Sequence, residues 1–140
     1  MSNSIFIFKL NNNFKSLQKE KSLDIVLDTF YKSYNSDFYQ KQLNLMIENI
    51  NIKDIKNNVY NHFKNKDIFC FDNDNFYIHN PFKDEDETLE FYENYLLINK
   101  EGNNSLFLDY LSIYFIDFIA IEIENEKIYP LHLVKNYSLV

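Results

Sequence analysis

Arginine does not occur in this chain, and all 14 basic residues are lysine. The protein therefore has no guanidinium fork with which to grip phosphate, carboxylate or guanine through two parallel hydrogen bonds. Glycine occurs once, at Gly102. A phosphate-cradling loop needs several glycines, because its backbone must approach the phosphate where side chains would clash. A single cysteine, Cys70, excludes an internal disulfide, a paired-cysteine zinc knuckle and the zinc-deaminase pattern. No His-Glu-x-x-His arrangement occurs. No apolar run is long enough to span a bilayer. The nearest, over 110–123, is interrupted by Asp117 and Glu122 and reads as sheet core. The apolar stretch Ile5, Phe6, Ile7, Phe8 has no basic leader, so a secretory signal is not expected and a cytoplasmic location is.

What the chain has in quantity is aromatic core material, with 14 Phe and 11 Tyr in a sequence that is 46% hydrophobic. A chain of 140 residues can bury roughly two thirds of its extended surface without help from a metal or cross-link. One compact domain over residues 1–140 is expected, with no visible repeat or linker. The excess of Asn, Ile, Lys, Phe and Tyr is the signature of drift toward A·T-rich codons, so patterns built only from Asn or Lys carry little weight.

Hydrophobic periodicity divides the chain in two. Residues 4–10 read as a strand with Ile5 and Ile7 on one face and Phe6 and Phe8 on the other, so both faces of that strand are expected to be covered. Three helices follow. The first carries Leu23, Val26, Leu27, Phe30 and Tyr34, with Ser22 as its cap and Phe14 and Leu17 in an earlier turn. The second, capped by Ser36 or Asp37, carries Phe38, Leu43, Met46, Ile47 and Ile50. The third, capped by Asn51, has Ile52, Ile55, Val59 and Phe63 on one stripe. Beyond Lys66 the period becomes that of strands. Residues 67–71 and 76–79 form a hairpin or a strand-loop-strand around the turn residues Asp72–Asn75, residues 81–87 a solvated acidic link, and residues 88–99 fit helix or strand. Residues 105–108 and 113–123 read as strands, the latter turning at Asn125 and Glu126 into an edge strand over 128–134 that contains Pro130. The expected fold class is α+β, with amino-terminal helices packed on a mainly antiparallel carboxy-terminal sheet.

Charge divides at the same place. Residues 1–66 hold ten Lys and six acids, a net of +4, whereas residues 67–140 hold four Lys and fifteen acids, a net of −11. Two acidic groups stand out. Asp84, Glu85, Asp86 and Glu87 form the link, and Glu122, Glu124 and Glu126 alternate so that a strand would place them on one face, with Tyr129 nearby. Each has an ordinary alternative, a hydrated connection for the first and a solvated sheet face for the second.

Other chemistry is less well supported. His62, Cys70, His79 and His132 have no local pair that would seed a zinc site, and Cys70 lacks the cationic neighbour or helix start that makes a thiol reactive. Asp72–Asn75 begins like a calcium loop but lacks its glycine and closing glutamate. No metal or cofactor is expected. The reading is a small acidic protein-binding domain, a stoichiometric inhibitor or immunity-type protein that captures a basic protein partner through Asp84–Glu87, Glu122, Glu124, Glu126 and tyrosines such as Tyr92, Tyr110 and Tyr129. Direct nucleic-acid binding is disfavoured by the net charge, and membrane binding by the lack of a span. The alternatives are a small hydrolase-like enzyme pairing His79 or His132 with Asp109 or Asp117, or a structural assembly subunit.

Overall fold

A computed structural model describes residues 2–14, 22–72, 74–81 and 85–134. The order of elements is β1 (Ser2–Phe8), α1 (Leu23–Lys32), α2 (Asp37–Met46), α3 (Ile52–Phe63), β2 (Phe69–Phe71), β3 (Asn75–Asn80), β4 (Glu85–Phe91), β5 (Leu96–Glu101), α4 (Leu106–Tyr114), β6 (Ile119–Glu122) and β7 (Lys127–Pro130). A final 3-10 turn covers Leu131–Leu133. The strands form one antiparallel sheet in the order β2-β3-β4-β5-β1-β6-β7. The α+β class expected from the sequence is the one observed.

The two faces of β1 explain the layering. Ile5 and Ile7 point to a core shared with α3 and α4, where Ile55, Val59, Phe63, Phe107 and Leu111 meet Phe76, Ile78, Leu89, Leu96 and Ile98. Phe6 and Phe8 point the other way, into a core with Leu23, Val26 and Phe30 of α1, Leu43 and Met46 of α2, and Ile119 and Ile121 of β6. The helices therefore sit on both sides of the sheet. A strand apolar on both faces belongs in the middle of such a sandwich, and β1 lies between β5 and β6.

Helix starts follow the capping chemistry. Ser36 accepts from the amide of Tyr39 (3.4 Å) and Asn51 from that of Asp54 (3.2 Å), whereas Ser22 precedes α1 without a side-chain cap bond. Phe14 lies in a separate short turn and Leu17 lies outside the described residues. The β2–β3 hairpin forms as expected, closed by Asp72, whose Oδ1 accepts from the amides of Asp74 (3.0 Å) and Asn75 (2.9 Å).

Several local expectations are corrected. In place of the strands expected over 105–108 and 113–123, Leu106–Tyr114 is helix and the strand that follows is only Ile119–Glu122. Ser105 Oγ accepts from the amide of Leu108 (3.0 Å), and Phe107, Leu108, Tyr110 and Leu111 are all buried. Only Asp109 and Ser112 interrupt the apolar run of this helix, which leaves its period with little contrast. Residues 85–91, read partly as a solvated link, form β4, and residues 88–99 resolve into β4, a turn and β5. The first strand spans Ser2–Phe8, and Leu10 makes only an isolated bridge with Ile47. The last hairpin turns through four residues, 123–126, with Glu126 at φ 53°. That loop pairs Ile121 with Ile128 and Glu122 with Lys127, two residues away from the two-residue turn expected. The edge position of β7 is as expected, but the strand ends at Pro130, and Leu131–Leu133 form a 3-10 turn in place of the strand expected as far as 134.

Candidate protein-binding surface

Helices α3 and α4 pack one face of the sheet, but α1 and α2 occupy only part of the other. The buried cluster beneath α1 and α2 takes strand residues from β1 and β6 and none from β2 to β5. Register and pleat place His79, Tyr77 and Asn75 of β3, Asp86, Thr88 and Glu90 of β4, and Leu97, Asn99 and Glu101 of β5 on this second face. Each of these is half-buried or exposed, while the alternating Phe76, Ile78, Leu89, Leu96 and Ile98 are buried on the packed side. Strands β2 to β5 thus present a face without a packed helix among the described residues.

That face has an organised polar surface. Ser4 Oγ donates to Asn99 Oδ1 (2.7 Å), Asn99 Nδ2 donates to Glu90 Oε2 (2.5 Å), and the Tyr92 hydroxyl donates to Glu90 Oε1 (2.7 Å). Tyr77 donates to Asp72 Oδ2 (3.0 Å), and His79 Nδ1 contacts Asp86 Oδ1. Backbone and tyrosine donors hold the Asp72 carboxyl below its ordinary pKa. The hydrogen bond to Glu90 pushes the Tyr92 phenol up to about 12. Asp72, Asp86, Glu90 and Glu101 lie on this side, and no lysine of the described strand residues does; Lys100 alternates to the packed face.

At its border with α1 and α2 the face deepens into a groove of about 690 Å³, walled by Tyr34 on one side and by Tyr92 and Tyr95 of the β4–β5 turn on the other. Phe6 packs beneath Tyr95 with ring centroids 4.5 Å apart, and Tyr92 stacks on Tyr95 at 4.6 Å and 13°.

The acidic residues singled out in the sequence are dispersed. Glu87 is only 7% exposed and belongs to no surface. Its Oε1 accepts from Ser105 Oγ (2.7 Å) and the amide of Phe107 (3.3 Å), and its Oε2 from the amide of Leu106 (2.8 Å). It is the acceptor for the open amides of the first turn of α4. Burial raises its pKa, against the hydrogen bonds and Lys100, which lower it. Its neighbour Asp86 points to the open face, Glu85 is half-buried, and Asp84 lies outside the described residues.

Glu122, Glu124 and Glu126 do not share a strand face. Glu122 is on β6 and turns to the α4 side, where it accepts from Asn125 Nδ2 (2.9 Å) and from the Tyr129 hydroxyl. Burial and this bond raise the Tyr129 pKa. Both line a cleft of about 480 Å³ with Asp109 and Lys100. Glu124 and Glu126 lie in the turn on the α1 side; Glu124 accepts from the amide of Ser4, and both raise the pKa of Tyr31 after its burial. Of the tyrosines, Tyr92 is exposed, while Tyr110 is buried with its hydroxyl donating to the carbonyl of Asn58 (3.1 Å).

Histidines and cysteine are also spread out. His79 pairs with Asp86 on the open face. His132 is exposed in the last turn and Cys70 is exposed on the edge strand β2. His62 lies against the Tyr110 ring (4.5 Å), where burial and then Lys66 lower its pKa. Among the described residues no three His, Cys, Asp or Glu side chains converge as metal ligands, and no helix is long and apolar enough to cross a membrane. The open face had one sequence signal, the alternation Asn75-Tyr77-His79 against Asp86-Thr88-Glu90, but reading it required knowing that residues 85–91 are a strand.

No protein-family model matches the chain, and no curated protein matches it.

Proposed function

We propose that this protein is a stoichiometric binding domain that captures and restrains a basic protein, in the manner of an inhibitor or immunity-type protein, through the open face of β2–β5. The observation that carries the reading is the acidic sheet face left without a packed helix among the described residues, with tyrosines among its carboxylates and no lysine from its strands. Such a surface speeds encounter with a cationic partner and rejects acidic competitors, while tyrosines supply contact area at small entropic cost. A reducing cytoplasm is the proposed compartment, because the exposed Cys70 thiol persists there. Nucleic acid is not the proposed ligand, since phosphate meets repulsion on this face.

The test is affinity capture from the native cell, followed by calorimetric titration and association kinetics at low and near-physiological salt. Asp86→Lys with Glu101→Lys reverses two exposed charges of the face without removing a core side chain. The expected result is slower association and an affinity loss of about 1–3 kcal/mol, roughly tenfold or more. Unchanged affinity and rate in the folded double mutant would reject this face. Glu122→Lys is a poor probe by comparison, because it also breaks the bond to half-buried Tyr129.

A further inference from the structure

We propose that the aromatic groove between α1–α2 and the β4–β5 turn receives one lysine or arginine side chain of a protein partner, its cationic head held beside Tyr34, Tyr92 and Glu93. The inference deepens the reading of a basic partner and rests on it for the source of the cation.

Three features of the groove ask for the same chemical group. Its walls are aromatic. Tyr34 is 61% and Tyr92 39% exposed, and Tyr95 is held between Tyr92 and Phe6. A cation over such rings is attracted by their quadrupoles, more strongly where water is partly excluded. Its charge is of one sign. Glu93 lines the groove, Glu90 is bonded to Tyr92, and no lysine is among the lining residues. The phenols report the same field: Tyr34 is raised by burial and then Glu124, and Tyr95 by burial and then Glu90.

The third feature is an apolar flank. Leu43, Ile47 and Leu97 add apolar lining to the groove, which suits the aliphatic stem of a long cationic side chain. A volume of about 690 Å³ holds the whole side chain and a stretch of its backbone.

The test needs no partner. The full chain, isotope-labelled, is titrated with Nα-acetyl-arginine methylamide and, separately, with the neutral Nα-acetyl-norleucine methylamide, following the amide resonances of Tyr34, Asn94 and Tyr95. Saturable shifts at these three with the arginine probe are expected, and binding of norleucine weaker by roughly three- to tenfold. Tyr34→Leu and Tyr92→Leu alter exposed rings and should each weaken the arginine probe by a similar factor with a native spectrum elsewhere. Equal or tighter binding of norleucine would make the groove an apolar anchor site and overturn the proposal, as would absence of shifts at these residues with the arginine probe. Failure here leaves the charge-reversal result on the open face standing, because that experiment reads Asp86 and Glu101 and not the groove.

Discussion

Glu87 shows most clearly how one side chain changes meaning between sequence and structure. As the last of four consecutive acids it reads as solvated charge; in the fold it binds three donors at the start of α4. Glu87→Ala leaves those donors buried without an acceptor and should destabilise the protein by about 1–3 kcal/mol, measured by urea unfolding. The pH dependence has a definite sign. Burial raises the folded pKa of Glu87 above its ordinary value near 4.5, so across that window the native state binds more protons than the unfolded state. Its contribution to stability therefore falls as pH rises from about 4.5 through the folded pKa, then levels off. Glu87→Gln removes this slope, and unfolding curves of the two proteins should diverge over that window. Parallel pH profiles would contradict the assignment. The residue was unreadable because the adjacent Asp86 is exposed and only the pleat of β4 separates them.

At the scale of elements, α3 is the case in which local signals and packing agree. Asn51 caps it, and Ile55, Val59 and Phe63 form the buried stripe that the spacing predicts. The two contributions differ in size. Asn51→Ala removes one exposed cap bond and should cost about 1 kcal/mol. Phe63→Ala empties a site 2% exposed that touches Phe107 (5.2 Å) and Tyr110 (5.8 Å), and should cost about 3–5 kcal/mol. Thermal or urea unfolding ranks them, and a larger loss at Asn51 than at Phe63 would mean that α3 is held by its own propensity and not by the sheet. Helix α4 is the opposite case. Its run is apolar apart from Asp109 and Ser112, so its period is weakly marked, and the Ser105 cap, the Glu87 acceptor and contact with α3 and the strands decide for helix.

For the whole molecule, the relevant division is between a sheet face covered along its length and one covered in part. No three His, Cys, Asp or Glu side chains cluster as metal ligands among the described residues. Prolonged chelation should therefore leave Tm unchanged; a large fall restored by one equivalent of zinc would show that a metal contributes to folding. The charge split also takes a different form from the one expected. The acids beyond residue 66 do not make one surface, because Glu87 is buried, Glu122 turns toward α4 and Glu124 toward α1. The subset on β3–β5 shares a face because antiparallel pairing places Asp86 beside His79 and Glu90 beside Leu97.

The sequence by itself determined what local physics controls. The two-faced apolar pattern of β1, the caps of α2 and α3, the buried stripe of α3, the β2–β3 hairpin and the α+β class follow from spacing and turn chemistry within a few residues, whereas Phe38, expected on the buried stripe of α2, is exposed. Tertiary structure alone decided three things: which side of the sheet each helix covers, the register of the last hairpin, and the fate of each carboxylate. Those depend on pairing between residues far apart in the chain. One step of pleat or two of register sends the same glutamate to a helix amino terminus, a turn or an open face, and residue type alone does not distinguish these outcomes.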